Sequence, residues 1–126
     1  MLPWMSFGRA EPQREYVALL SYLPLKRVSG IPPLLLHTIR IMLQLRGSRG
    51  LTGYSLNAAL GAKRFWTLSA WEDEAALQLF VKALPHARAM TVMAPRMGET
   101  AFVRWRVKGS ELPLIWEVAL KHWRGN

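Results

Sequence analysis

The chain contains no cysteine. That absence excludes disulfide cross-links, zinc–thiolate sites, iron–sulfur clusters and thiol nucleophiles, and a reducing cytoplasmic setting fits it. Motifs that specify hydrolysis or phosphate handling are missing too: there is no HExxH, no GxSxG, no paired-carboxylate arrangement and no GK[ST] after a glycine run. Histidine is scarce, with only His37, His86 and His122, and no metal site is expected. Acidic charge is absent from a long interval, since no aspartate or glutamate lies between Glu15 and Glu72. Lys26, Arg27, Arg40, Arg46, Arg49, Lys63 and Arg64 all fall within it, and the chain as a whole carries a formal charge of +9. Such asymmetry points to an anionic partner (a carboxylated small molecule, nucleic acid or a lipid surface), with a solvated basic surface as the equal alternative. No run reads as a bilayer span, because the longest apolar stretch, IPPLLLHTIRIMLQL, is interrupted by His37, Arg40 and Gln44. The opening MLPWMSFGRAEP lacks a cationic start and a sustained apolar core. It reads as a flexible arm over residues 1–15, with Trp4 and Phe7 available to dock, rather than as a signal peptide.

What remains is a chain of 126 residues, 51% of them hydrophobic, enough for one domain over residues 16–126 with its own core. REYVALLSYLPL alternates with apolar residues on both faces and reads as a strand closed by Pro24. SGIPPLLLHTIRIMLQLRG reads as a helix, with Pro32 and Pro33 suited to the first turn, where their missing N–H groups cost nothing. In this reading His37, Arg40 and Gln44 form its polar stripe, and Leu36, Ile39 and Leu43 face inward. LTGYSLNAA and KRFWTLSAW read as a hairpin across LGAK. EDEAALQLFVKAL follows as a helix whose acids Glu72, Asp73 and Glu74 offset the positive end of the helix dipole. Pro85 breaks it, and HARAMTVMA begins another helical turn or two. TAFVRWRVK is a further strand, and residues 112–124 form a terminal helix with Trp116, Ala119, Leu120 and Trp123 along one stripe. The order βαββαβ plus a C-terminal helix gives a ferredoxin-like antiparallel sheet of the α+β class. Helices between the strands can cover only one face of it. A second copy, closing two sheets into a barrel, would cover the other.

The segment FWTLSAWEDEAALQLFVKALPHARAM carries an aromatic strand ending in Trp-Glu, an acidic helix start, an aromatic mid-helix residue and a second helix containing histidine and methionine. In this it resembles the antibiotic biosynthesis monooxygenase-like superfamily, and the element order extends the likeness over about residues 16 to 108. The resemblance implies a dimeric α+β barrel with a pocket in each subunit between sheet and helices. It also implies an activity among cofactor-independent oxygenation of aromatic polyketides, haem degradation and haem-dependent oxygenation. The haem-degrading branch fits poorly. Its helix tryptophan and histidine ligand fall by spacing on Phe80 and Met90, and a thioether is a poor haem ligand beside imidazole. His86, one turn earlier, could substitute.

His86, following the helix break at Pro85, is the candidate catalytic base. Trp66 and Trp71 lie on opposite faces of their strand. With Phe80, Tyr54, Arg104 and Met90 they are the candidate ligand-binding residues, and Tyr22, Asn57 and Ser69 are further strand residues able to bring polar groups to a pocket. Arg104 suits a carboxylate or phenolate, or else a structural salt bridge; His37 and His122 are expected at the surface. GSRG, residues 47–50, resembles a KH-module loop, but it leads into a strand and reads as a helix end. The leading expectation is a dimeric, cytoplasmic, monooxygenase-like protein that takes a small apolar or aromatic, anionic ligand and needs no cofactor. The alternative is haem bound through His86 or His37. Ranked third is a non-enzymatic module using the basic interval 26–64 and the tryptophan-rich terminal helix on anionic lipid or nucleic acid.

Overall fold

The computed structural model describes residues 3–124. Its strands are β1 (Met5–Ser6), β2 (Glu15–Pro24), β3 (Leu51–Ala59), β4 (Arg64–Trp71) and β5 (Ala101–Lys108). Its helices are α1 (Ile31–Arg46), α2 (Glu74–Lys82), α3 (His86–Met93) and α4 (Trp116–Arg124). The strands form one antiparallel sheet in the order β1-β3-β4-β2-β5. Without β1, that order is the ferredoxin-like arrangement expected from βαββαβ. The fifth strand comes from the segment read as a flexible arm. Met5 and Ser6 pair with Tyr54 and Gly53, the Trp4 indole lies against Gly53 where a Cβ would collide with it, and Phe7 stacks on Tyr54 at 5.8 Å.

Local chemistry explains the element ends. α2 starts where the Asp73 carboxylate accepts the Ala76 N–H at 2.8 Å, one of the donors a helix start leaves unpaired. α1 has a proline in its first turn and no side-chain cap. The β3–β4 connection is a short 3₁₀ turn, Leu60–Ala62, ended by Lys63 at φ 58°. Gly50, at φ 83°, supplies the left-handed turn between α1 and β3. The terminal helix begins at Trp116 rather than at residue 112; Leu112 and Leu114 precede it and pack onto the sheet as extended chain.

The sheet carries two different cores. On one face α1, α2 and α3 lie over Val17, Tyr54 and Trp71, with a second cluster around Leu25, Leu34, Phe65 and Met93. On the other face α4 packs over Leu20 and Leu68 through Ala119, with Trp4, Trp66, Trp105, Trp116 and Trp123 filling the space around them. Trp66, Tyr22 and Trp123 form an aromatic cluster, and the Trp105 ring stacks on His122 at 4.3 Å. The Trp116 indole N–H donates to Ser55 Oγ at 3.0 Å. The central strands are apolar on both faces, as read, whereas β5 carries Arg104 and Arg106 on one of its faces, and the chain's own terminal helix covers the face for which a second copy was expected. Its tryptophans point into the sheet, so the stripe containing Trp116 and Trp123 is not available to a membrane or nucleic acid.

α1 sits the other way round from the sequence reading. Leu36, Ile39 and Leu43 are 49%, 57% and 62% exposed, whereas His37 and Gln44 are half-buried against the sheet and the other helices. The helix is apolar around most of its circumference, so hydrophobicity alone does not choose its inner face. Gln44 does. Its Oε1 accepts the His86 N–H at 2.9 Å, and its Nε2 donates to the Phe80 carbonyl at 3.2 Å. A helix start leaves N–H groups unpaired and a helix end leaves carbonyls, and one amide here serves both sides of the α2–α3 break.

Candidate active-site cavity

Between the sheet and its α1–α3 layer lies a cavity of about 300 Å³. Strand register sets out its floor in two cross-sheet rows: Tyr54, Ser69, Leu19 and Arg104, then Leu56, Thr67, Ser21 and Phe102. Because side chains alternate along a strand, these residues share one face, and their sequence neighbours point to the α4 side. α1 contributes His37, Thr38, Ile41 and Met42 to the roof, and α2 contributes Phe80 and Val81. From α3 come His86, Ala89, Met90 and Met93, and Met97 follows. Most of this lining is hydrocarbon, aromatic ring and thioether, with a few hydroxyls on the floor, the composition of a site for a small apolar guest.

Of the residues singled out in the sequence, His86, Trp71, Phe80, Tyr54, Arg104 and Met90 all line this cavity. Trp66 does not. It lies five residues from Trp71 on the same strand, therefore on the other face, packed against Tyr22 and Trp123. Tyr22 is there too, and Asn57, the register partner of Trp66, is not among the lining residues. The sequence reading missed Ser21 and Thr67, and it placed His37 in solvent. The signal for His37 was its spacing from Leu34, Ile41 and Leu45, the inner side of α1.

His86 is held at several points in the cavity. It is the first residue of α3, with its backbone held by Gln44. Its ring lies 4.7 Å from that of Phe80, which in turn lies 5.0 Å from the Trp71 indole. Nδ1 is 3.1 Å from the Val81 carbonyl oxygen. A carbonyl oxygen only accepts, so Nδ1 carries the hydrogen and Nε2 is left with the lone pair. Burial pushes the imidazole below its ordinary value of 6.5, against a smaller opposing effect of the Val81 hydrogen bond. At neutral pH the ring is thus neutral, in the tautomer that accepts a proton at Nε2.

Trp71 is fully buried, and its indole N–H donates to Ser69 Oγ at 2.9 Å. Arg104, at the rim, pairs with Glu74 at 2.8 Å, with both side chains about half exposed (45% and 50%). An exposed pair of this kind contributes about 0–1 kcal/mol, so the guanidinium can be drawn to another anion at little cost. No group of three or more histidines or carboxylates able to hold a metal ion occurs among the described residues.

Solved structures show the same architecture. A protein described as an antibiotic biosynthesis monooxygenase superposes with a TM-score of 0.64 at 15% identity, over 71% of this chain and 95% of the other. The chain shares the ferredoxin-like α+β fold of that protein. SnoaB, a cofactor-independent oxygenase from Streptomyces nogalater, matches 78% of this chain and 97% of its own at 10% identity and a TM-score of 0.60. A dimeric ferredoxin-like protein of unknown function from Thermobifida fusca matches 77% and 95% at 16% identity, also with a TM-score of 0.60. No family model matches the sequence, and no curated protein does. Likeness at these identities is a likeness of fold; the chemistry has to be argued from the cavity.

Proposed function

We propose that the cavity binds a small aromatic, acidic molecule and oxygenates it with dioxygen, without metal or flavin. The observation that carries this reading is the His86 geometry: a neutral imidazole fixed at Nδ1 by the Val81 carbonyl, with Nε2 as acceptor, in a cavity walled by Phe80 and Trp71. In such a site the protein supplies a base, a dry aromatic wall and an anchor. His86 takes a proton from an activated ring carbon or phenol, and Arg104 at the rim balances the resulting anion. The electron-rich anion then passes an electron to dioxygen, and the two radicals join as a peroxide at the ring carbon. The peroxide O–O bond breaks as the carbon bearing it loses its remaining hydrogen, leaving a carbonyl oxygen on the substrate and releasing the second oxygen atom as water, whose two hydrogens are that one and the one taken by His86. The substrate is oxidised, dioxygen is reduced, and the proton held by His86 leaves in the water.

The likeness to a cofactor-independent oxygenase supports this reading. Haem ligation of the kind implied by the resemblance does not fit: Met90 stands at the position corresponding to the ligand, and no step is assigned to haem. A homodimer belongs to the proposal on the strength of the dimeric ferredoxin-like neighbour, since α4 removes the need for a second copy over the open face. The test is a hemin titration followed by oxygen uptake with a panel of aromatic quinols and hydroxy acids. A flat hemin titration and oxygen consumption abolished in His86→Ala support the proposal. A saturable Soret band would move haem ahead of it. Oxygen uptake that survives in His86→Ala would remove the base from the mechanism.

A further inference from the structure

The outer side of α1 is an apolar stripe left exposed among the described residues. Leu35, Leu36, Ile39 and Leu43 are 46%, 49%, 57% and 62% exposed, and Val28, just before the helix, is 62% exposed. Helical spacing puts Arg40 and Arg46 on the same side, at i+4 from Leu36 and i+3 from Leu43. Lys26 and Arg27 stand exposed at one end and Arg49 at the other, and none of these five cations is ion-paired among the described residues. No acid lies anywhere between Glu15 and Glu72.

The segment Val28–Arg46 reaches 19 residues at a mean hydropathy of 1.2, enough by length and composition to cross a membrane, contrary to the sequence reading. Its inner side nevertheless roofs the cavity and carries the Gln44 hydrogen bonds, so it lies along the domain rather than leaving it. A helix of this kind, aliphatic on its outward side and bordered by arginines whose stems can lie along apolar surface while their heads reach phosphates, has the features of an interfacial helix.

We infer that the outer face of α1 docks on an anionic lipid surface, with Leu36, Ile39 and Leu43 entering the headgroup boundary and Lys26, Arg27, Arg40, Arg46 and Arg49 meeting lipid phosphates. Charge decides against the two other occupants. A second copy joined through this face would bring the arginines of both copies, Arg40 and Arg46, into one interface with no carboxylate in the interval to neutralise them. Nucleic acid would be met by leucine and isoleucine where a strand needs aromatic planes to stack on. Only an anionic bilayer matches both the aliphatic stripe and its cationic border.

The test is flotation of the full chain with vesicles of phosphatidylcholine alone and of phosphatidylcholine with about a third phosphatidylglycerol. Binding is expected only to the anionic vesicles and should weaken with salt. Replacing the three aliphatics together (Leu36→Ser, Ile39→Ser, Leu43→Ser) should lower partitioning by about tenfold or more, since each loses its burial in the interface. Arg40→Gln and Arg46→Gln should lower it by roughly fivefold each. Because these side chains are exposed, the thermal midpoint should stay near that of the parent, and a collapse of that midpoint would be bypassed by reading the two arginine variants alone. Absence of binding to anionic vesicles, or binding that the aliphatic variant retains, overturns the inference. So does a sedimentation experiment in which that variant turns a dimer into a monomer, which would assign the face to a second copy. None of these readouts depends on the cavity, so failure here leaves the oxygenase proposal standing, and the reverse also holds.

Discussion

The two faces of the sheet use the same strands for opposite ends. Toward α4 the space is occupied by indole and aliphatic side chains, and the Trp66 and Trp105 N–H groups are buried without a hydrogen-bond partner among the described residues. Toward α1–α3 the helices stand over serine, threonine and tyrosine and leave a cavity. Adjacent residues on one strand therefore differ in purpose: Leu20 seals a core, and Leu19 lines a space. The lesson is that a function-bearing face is recognised by what it leaves unfilled, since both faces are apolar in sequence.

Mutation of those two neighbours should give the largest contrast. Leu20→Ala, at a position 1% exposed, is expected to cost about 3 kcal/mol, through lost burial and the new void, whereas Leu19→Ala, which already borders empty space, should cost half that or less. Denaturant unfolding of both variants measures the difference, and equal costs would erase the distinction between the faces. Next in size is Gln44→Ala, which strands the His86 N–H and leaves the Phe80 carbonyl with the Ala83 N–H alone. A loss of about 1–2 kcal/mol, with faster amide exchange at His86, is expected.

Smaller again is the pH response of His86. Its folded-state pKa lies below the unfolded value of 6.5, so stability is at its full level above 6.5. As pH falls below that point, the unfolded chain binds a proton that the folded one resists, and stability declines until the lowered pKa is passed. Urea unfolding across this range should show the slope in the parent and a reduced slope in His86→Gln; an unchanged slope would take burial away as its cause. Any base-dependent activity should likewise rise with pH through the lowered pKa and then stay flat. Smallest is Glu74→Gln, which releases Arg104. Stability should change by less than about 1 kcal/mol, while affinity for an anionic aromatic probe rises, a split that calorimetry can read.

How far the sequence disclosed this arrangement depends on the element. β3, β4 and β5 were legible almost to the residue, because alternation, Pro85, Lys63 and the acidic start at Asp73 each leave a local chemical mark. The inner side of α1 was not, because Leu36, Ile39 and Leu43 look as buriable as Leu34, Ile41 and Leu45. The choice between them is made by a hydrogen bond from Gln44 to groups more than thirty residues away. Likewise, Trp66 and Trp71 are equivalent in composition, and only the placing of α4 separates the packed one from the one beside the cavity. The face covered by α4 was assigned to a second copy for the same reason: strand patterning reports that a face is covered, not by what.

Met42, Met90, Met93 and Met97 make up much of the cavity roof. An unbranched thioether side chain has more rotatable bonds than leucine or isoleucine and takes up new shapes at little cost. A roof built this way adjusts to the outline of what enters, so it discriminates poorly between flat and kinked or between narrow and broad guests. Selectivity then falls to the rigid elements, the Phe80 and Trp71 rings and the charge at Arg104. Chemical libraries sorted by charge and aromaticity will therefore find ligands for this protein sooner than libraries sorted by shape.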